Sequence, residues 1–301
     1  MYKQNHNKRT FWHRHRRMVV PLLIVLALLV VAFVAQLFFA PDDAANESTE
    51  GAREEQIAQD EPSDDEISSL SSVQAELDTV LESVRGSHSV VVQDAATGEI
   101  LASHQPNEVF FASSIYKLYV AYLALEDFQA GLYEPDEPYN QGRSRMECVV
   151  VMLRDSDSPC PEQMWEEQGR DVGNERLDEL GLGSTDLLAV TTTATDANAL
   201  LLRLHDQQDL NDEYTQVMRD SLRDFPERDF RQGLPSAFDE YDEVVVYAKP
   251  GIYDEGWLDA AIIELPSGRS VIMSIFSDNA YYQEVRTIAD AIISPLIEAT
   301  R

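Results

Sequence analysis

Lysine is rare in most of this chain and occurs where it could do chemistry. Beyond the first 40 residues the sequence holds two lysines, Lys117 and Lys249, against fifteen arginines. Lys117 lies in the apolar segment FFASSIYKLYVAYLALEDF, where a buried ammonium is costly unless it is paired or used. Ser114 precedes it by three residues, so on a helix the two side chains share a face. Because desolvation lowers the pKa of a lysine, Lys117 could act as a base toward the Ser114 hydroxyl.

The start of this helix bears on which serine reacts. We expect Ser113 to be the N-cap, so that Ser114 lies in the first turn, where the helix dipole favours developing negative charge. Ser113 also shares a face with Lys117, so helical geometry alone does not exclude it as the nucleophile. A lysine that extends its ammonium to solvent beside a capping serine is the plainer interpretation of the pair taken alone.

Two further segments carry polar residues at the ends of apolar elements. LRDSDSPC places Ser156 and Asp157 just after an apolar helix, and VVVYAKPG places Lys249 and Gly251 at the end of a β-strand. Each segment alone is an ordinary helix-end turn or strand-end charge. Their order along the chain, after the Ser-x-x-Lys pair, is what makes them informative.

Hydrophobic periodicity predicts the elements that hold these residues. In chain order they are a helix over 71–84, a β-hairpin of SHSVVVQD and EILASHQ, the buried helix from Ser114, a helix-rich middle over 146–222, three strands, and an amphipathic helix over 282–299. Three strands joined by short turns imply antiparallel pairing, and the first hairpin can complete the same sheet. We therefore expect an α/β (α+β) fold, with a five-stranded antiparallel sheet flanked by helices and an inserted all-helical lobe over about 114–240.

In this arrangement the chain resembles the class A β-lactamase and penicillin-binding protein superfamily of active-site serine enzymes. FFASSIYK is similar to the S-x-x-K motif, RDSDS to S-D-N and AKPG to K-T-G, and TTTATDANALLLRL resembles the helix that follows the active-site loop in class A proteins. The similarity spans about residues 70–299. Both lysines fall at motif positions that use an ammonium rather than an arginine fork.

The resemblance implies a role for each matching residue. Ser114 would form an acyl-enzyme, Lys117 would activate it, Ser156 would relay the proton to the leaving nitrogen, and Lys249 would supply positive potential. The backbone N–H groups of Ser114 and Ile252 would form the oxyanion hole, with Ser158 and Gly251 also lining the substrate site. No cofactor and no metal are implied, and the expected substrates are β-lactams or peptidoglycan-derived peptides.

The sequence departs from the family pattern at three points. Ser158 stands where the family has an amide, and Pro250 replaces a hydroxyl that would hold the substrate carboxylate. The loop between LDELGLG and TTTATD is short and lacks the E-x-x-x-N segment that carries the deacylating glutamate. Asp186 is its one carboxylate, a poor candidate for that base.

Two functions therefore remain open. The first is a serine hydrolase acylated at Ser114, with slow deacylation. The second is a catalytically weak or inactive relative that acts as a cell-wall binding or structural module. The intact set of Ser114, Lys117, Ser156 and Lys249 favours the enzyme, whereas Pro250 and the short loop favour the binding module.

The N-terminus predicts where the protein lies in the cell. A basic tail over residues 1–17 with six Lys/Arg precedes the uncharged segment 18–40, whose length fits a transmembrane helix with its N-terminus cytoplasmic. A cleaved signal peptide is the alternative. Residues 41–68 hold eleven acids and one arginine, which predicts an extended, disordered tether that contains a weak glycosylation sequon at Asn46. The extracellular hydrolase domain would be residues 69–301, at the cell membrane.

Charge and cysteine content limit the partners. Beyond residue 40 the chain has 17 basic residues against 54 acidic ones, which argues against nucleic acid and anionic lipid headgroups. In an oxidising exterior, the two cysteines, Cys148 and Cys160, are expected to form a disulfide. Their spacing does not suit a four-ligand zinc site. We expect a monomer that contacts the membrane only through residues 18–40.

Overall fold

The computed structural model describes residues 64–223 and 231–300 of the chain. Its α-helices are α1 (Asp64–Leu81), α2 (Tyr116–Gln129), α3 (Arg145–Arg154), α4 (Pro159–Gln168), α5 (Arg170–Glu179), α6 (Ala194–His205), α7 (Asp212–Arg223) and α8 (Tyr282–Ala299). Its strands are β1 (Ser87–Asp94), β2 (Ile100–His104), β3 (Phe110–Phe111), β4 (Pro138–Asn140), β5 (Arg143–Ser144), β6 (Thr191–Thr192), β7 (Val245–Tyr253), β8 (Gly256–Glu264) and β9 (Ser270–Asp278). Short 3₁₀ helices occupy Ser113–Ile115 and Leu234–Phe238.

The main sheet has five strands in the order β2-β1-β9-β8-β7, and every neighbouring pair is antiparallel. The hairpin β1–β2 joins the C-terminal strands through β1 and β9, so the predicted five-stranded antiparallel sheet is confirmed. Two-stranded pairings, β3 with β6 and β4 with β5, were not predicted, because strands of two or three residues are too short to show a period. The strand β7, which carries Lys249, lies at one edge of the sheet.

Helices cover both faces of this sheet. Val90 and Val92 pack with residues of α1 and α8, whereas Val91 between them packs with residues of α2 and α6. Successive strand side chains point to opposite faces, so a strand buried on both faces becomes a continuous apolar run. The VVV of β1 is therefore a consequence of having a helical layer on each side.

The helices α3, α4 and α5 form the lobe beside α2, as the sequence predicts for the middle of the chain. The predicted disulfide is present: Cys148 of α3 is bonded to Cys160 of α4, and both side chains are fully buried. It joins the two helices on either side of the turn that carries Ser156.

The N-terminal boundary differs from the prediction. The helix α1 begins at Asp64 and ends at Leu81, so residues 64–68 are helical rather than part of an extended tether. The predicted basic tail, the membrane segment 18–40, the sequon at Asn46 and the rest of the tether lie outside the described residues. Within the part of the chain that the structure describes, no helix is both long and apolar enough to cross a membrane.

Candidate active site

The serine pair lies on a tight turn between β3 and α2. Ser113, Ser114 and Ile115 form a 3₁₀ helix, and α2 continues from it. The prediction that Ser113 is the N-cap is wrong: its φ is +44°, and its hydroxyl donates to the carbonyl oxygen of Ile252 at 2.6 Å instead of capping the helix. The left-handed backbone at Ser113 turns the chain so that Ser114 begins the helix beside the edge strand β7.

Lys117 is buried within hydrogen-bond distance of the predicted nucleophile. Only 2% of its surface is exposed, and its Nζ lies 3.1 Å from Ser114 Oγ. The ammonium also donates to the carbonyl oxygen of Ser156 at 2.6 Å. Burial lowers the pKa of Lys117 to about 8, and the nearby carboxylates of Asp157 and Glu162 oppose that shift. An amine with this pKa is a usable base near neutral pH, as the sequence analysis requires.

Ser156 connects the two lysines. Its Oγ lies 3.3 Å from Lys117 Nζ and 3.0 Å from Lys249 Nζ, and its backbone is left-handed, with φ of +54°. The side chains of Ser114, Lys117, Ser156 and Lys249 therefore form one continuous chain of hydrogen-bonding groups. The structure brings together all four residues that the sequence analysis singled out.

Lys249 has no exposed surface, and its second acceptor is the carbonyl oxygen of Pro250 at 2.9 Å. Burial lowers its pKa well below the ordinary lysine value, the positive charge of Lys117 lowers it further, and Asp259 opposes both. Asp259 is fully buried on β8, opposite Pro250, and burial raises its pKa to about 7. The Asp259 carboxylate accepts from Leu234 N and Trp257 Nε1, both at 2.8 Å. Asp259 was not predicted, because nothing in the strand pattern distinguishes a buried carboxylate from an exposed one.

The close approach of β7 to the nucleophile turn explains why residue 251 is a glycine. A Cβ at this position would lie 2.9 Å from the carbonyl oxygen of Ala112 and 2.9 Å from Ile115 Cγ1. Such contacts are too short for any side chain, so glycine lets the edge strand lie against the turn. The next residue, Ile252, is held to the turn through Ser113, which fixes the strand where the predicted oxyanion donor is needed.

The turn after α3 is held in place from the lobe. Arg143 pairs with Asp157 at 3.3 Å, and the other carboxylate oxygen of Asp157 accepts from Cys160 N at 3.2 Å. Ser158 is exposed, and its Oγ lies 3.4 Å from Lys117 Nζ, so the residue that replaces the family's amide does reach the site. Arg143 was not predicted, because it lies 13 residues before Ser156 in a segment without a motif.

Asp186 has a structural role in its loop. Its Oδ1 accepts from Asn174 Nδ2 at 2.8 Å, Leu188 N at 2.7 Å and Ala189 N at 3.2 Å. The hydrogen bond from Asn174 and then those from the backbone lower the pKa of Asp186. A carboxylate whose charged form is stabilised in this way is a weak base.

The surroundings of the site are partly aromatic. Phe111 and Tyr253 pack edge to face with ring centroids 5.4 Å apart, on the two segments that meet at the nucleophile turn. A pocket of about 570 Å³ lies between α4 and Val190 and is lined in part by Tyr116. A larger pocket of about 660 Å³ between α2 and α5 contains none of the predicted site residues. Among the described residues, no cluster of three or more His, Cys, Asp or Glu side chains could hold a metal ion.

The fold and this residue set define a class: active-site serine hydrolases with an antiparallel sheet and a helical lobe. The model of the beta-lactamase enzyme family matches residues 72–296, and the chain belongs to that family. No curated protein sequence matches the chain.

Solved structures of the same fold are distant in sequence. PBP-A shares 15% identity with a TM-score of 0.68, over 75% of this chain and 96% of PBP-A. A β-lactamase from Chitinophaga pinensis shares 14% identity with a TM-score of 0.67, over 76% of this chain and 99% of that one. A β-lactamase from Xanthomonas campestris shares 16% identity with a TM-score of 0.67, over 76% and 98% of the two chains. At these identities the structural comparisons establish the fold, which agrees with the resemblance noted in the sequence.

Proposed function

We propose that the protein is a membrane-anchored extracytoplasmic serine enzyme, acylated at Ser114 by β-lactam or D-alanyl-peptide-like substrates, that releases the acyl group slowly. The observation that carries this proposal is the continuous chain from Ser114 Oγ through Lys117 Nζ and Ser156 Oγ to Lys249 Nζ, with separations of 3.1, 3.3 and 3.0 Å. A weak nucleophile needs an adjacent base, and a leaving nitrogen needs a proton donor. These four hydrogen-bonded side chains supply both the base and the proton donor.

In the proposed acylation, the neutral Lys117 amine accepts the Ser114 hydroxyl proton as Oγ attacks the substrate carbonyl carbon. The oxyanion that forms would be bound by the backbone N–H groups of Ser114 and Ile252. As the carbon–nitrogen bond breaks, Ser156 donates its proton to the leaving nitrogen and recovers one from Lys117. Lys249 stabilises the electron-rich Ser156 oxygen during this relay, and the product is an ester on Ser114.

Slow release of the acyl group follows from the loop before β6. Its one carboxylate, Asp186, accepts three hydrogen bonds within the loop and near α5. The loop lacks the glutamate that the family uses as its general base, and a well-placed base contributes about 10²–10⁴-fold to the rate. A variant of PBP-A, at 15% identity, has a structure described as an acyl-enzyme complex with penicillin G, which supports a long-lived ester on this fold.

Pro250 favours the second function, a cell-wall binding or structural module with weak catalysis. Proline has no side-chain hydroxyl to hold a substrate carboxylate, and its carbonyl oxygen already accepts from Lys249. We expect Pro250 to slow acylation through weaker substrate binding while leaving the proton relay intact.

The anchor is part of the proposal. The basic tail and the uncharged segment 18–40 support a single membrane span with the enzyme domain outside the cell. Digestion of intact cells with an external protease should remove the domain while the N-terminal tail stays protected. A tail that is cleaved, or a secreted product that lacks residues 1–40, would contradict the anchor.

Labelling with a fluorescent penicillin tests the catalytic proposal. Wild-type protein should acquire a covalent label that survives denaturation, and Ser114→Ala should acquire none. Size-exclusion chromatography with light scattering on the same sample tests the monomer. If wild-type protein stays unlabelled after long incubation at high penicillin concentration, the binding-module function replaces the enzyme.

A further inference from the structure

A pocket lies next to the nucleophile turn, between α4 and the short loop. It has a volume of about 570 Å³ and lies between α4 and Val190, with Tyr116 of α2 in its wall. Val190 is hydrogen-bonded to the segment that leads into the nucleophile turn: its carbonyl oxygen accepts from Ala112 N at 2.8 Å. Two carboxylates of α4, Glu162 and Glu166, also line this pocket. The pocket is large enough to hold several water molecules.

Glu162 lies in the first turn of α4, just after Ser158, which contacts Lys117. Two carboxylates act against the burial that lowers the pKa of Lys117, and they are Asp157 and Glu162. Glu162 also raises the pKa of Tyr116, after the larger effect of burial. The backbone places Glu162 near this lysine as well: Glu162 N donates to the carbonyl oxygen of Ser158 at 3.2 Å, and Ser158 Oγ lies 3.4 Å from Lys117 Nζ.

The other carboxylates near the site have partners. Asp157 is bonded to Arg143 and Cys160 N, and Glu166 pairs with Arg170, whose guanidinium lies 3.9 Å from the centre of the Trp165 ring. Asp186 is bonded within its own loop.

Glu162 differs from all of these. Its side chain is exposed in the pocket, and among the described residues its carboxylate has no hydrogen-bond or ion-pair partner. A carboxylate with free lone pairs in a water-accessible pocket beside the nucleophile can accept a proton.

We propose that Glu162 is the general base that activates water for hydrolysis of the Ser114 acyl-enzyme, an inference that rests on the proposed acylation. Glu162 accepts a proton from a pocket water as the water oxygen bonds to the ester carbon. The tetrahedral intermediate then breaks its bond to Ser114 Oγ, which takes up a proton from Glu162. The products are a free carboxylic acid and the restored serine hydroxyl.

This assignment is compatible with slow turnover. Glu162 lines the pocket from α4, whereas the family supplies its base from the loop that contains Val190. It has no partner to fix its orientation, so the water is poorly preorganised. The alternative is that Glu162, in the first turn of α4, only stabilises the helix by interacting with the positive end of its dipole. The experiment must therefore separate a catalytic role from this structural one.

The experiment compares full-length wild type with Glu162→Gln and the matched control Glu166→Gln, which removes the same charge from the same helix. Each protein is labelled with fluorescent penicillin, freed of excess reagent and followed for loss of label. Wild type and Glu166→Gln should acylate at similar rates, and Glu162→Gln no more slowly, because loss of the Glu162 charge lowers the pKa of Lys117 further. Glu162→Gln should then lose label about 10²-fold more slowly than the other two. Hydroxylamine, a nucleophile that needs no base, should strip the label from all three at equal rates. Thermal unfolding should show no difference between the two variants.

Three results would overturn the assignment. These are release from Glu162→Gln at the wild-type rate, equal slowing in both variants, and a wild-type label that never leaves. The absence of label on every protein, wild type included, would instead remove the proposed acylation and this inference with it.

Discussion

The pH dependence of acylation tests the role of Lys117 directly. Only the unprotonated amine can accept the Ser114 proton, and burial lowers the pKa of Lys117 to about 8. About one tenth of the protein would then carry the neutral amine at pH 7 and about nine tenths at pH 9, so acylation should rise about tenfold and level off. A lysine with an ordinary pKa would instead give a rise of about 100-fold over the same interval, with no plateau.

Stopped-flow measurement of acylation by a fluorescent penicillin between pH 6 and pH 10 separates these profiles. Substrate is kept well below saturation, so that the profile reports the free enzyme. Lys117→Met, which keeps the length and apolar stem, should acylate at least about 10²-fold more slowly at every pH. A rate that is flat from pH 6 to pH 10, or that still climbs tenfold per pH unit above pH 9, would refute Lys117 as the base.

The same pKa shift has a consequence for stability. The folded pKa of Lys117, about 8, lies below the unfolded value of 10.5, so the unfolded chain binds more protons between these values. The cost of burying the ammonium is therefore fully present below pH 8 and is relieved as pH rises toward 10.5. The free energy of unfolding of wild type should rise relative to that of Lys117→Met across this window, as measured by urea denaturation.

Three other predictions concern the turn, the lobe and the edge strand. Ser113→Ala removes the hydrogen bond to strand β7 and should slow penicillin labelling only about fivefold, which corresponds to about 1 kcal/mol. Loss of all labelling in this variant would mean that the nucleophile is misassigned. Cys160→Ser opens the disulfide and should lower the free energy of unfolding by about 3 kcal/mol on the chain-entropy model; equal urea midpoints with and without reductant in wild type would contradict this. Gly251→Ala places a Cβ 2.9 Å from the Ala112 carbonyl oxygen and should cost about 10²-fold in acylation rate while the protein stays folded, whereas wild-type labelling would show that the strand and the turn can separate freely.

Much of the fold could be predicted because its elements have a strong period. The predicted terminal helix over 282–299 matches α8, and the three C-terminal strands pair as expected from their short turns. Local pattern was less reliable where tertiary contacts decide the backbone. Ser113 has the composition of an N-cap, yet its φ is +44° and its hydroxyl bonds Ile252, which is distant in sequence.

The candidate site was predicted as far as its motifs extend. Motif spacing identified the four side chains that are hydrogen-bonded together, Ser114, Lys117, Ser156 and Lys249. The prediction that Lys249 and Gly251 end a strand is wrong, because β7 continues through both to Tyr253 and pairs with β8 over its whole length. Glu162 and Asp259 could not be recognised from the sequence as residues near the site. The sequence around Glu162 looks like any solvent-exposed helix face, and Asp259 lies within a strand of apolar residues. Which carboxylates face the site depends on how α4 and β8 pack, and no local pattern encodes that packing.

Intact-mass analysis of the penicillin-treated protein, followed by peptide mapping, is the most direct test of acylation by the relay around Lys117. We expect a single adduct with the full mass of penicillin on the peptide that contains Ser114. The adduct should persist after removal of excess drug and be absent from Ser114→Ala. An unmodified protein after prolonged treatment, or an adduct on any other residue, would contradict it.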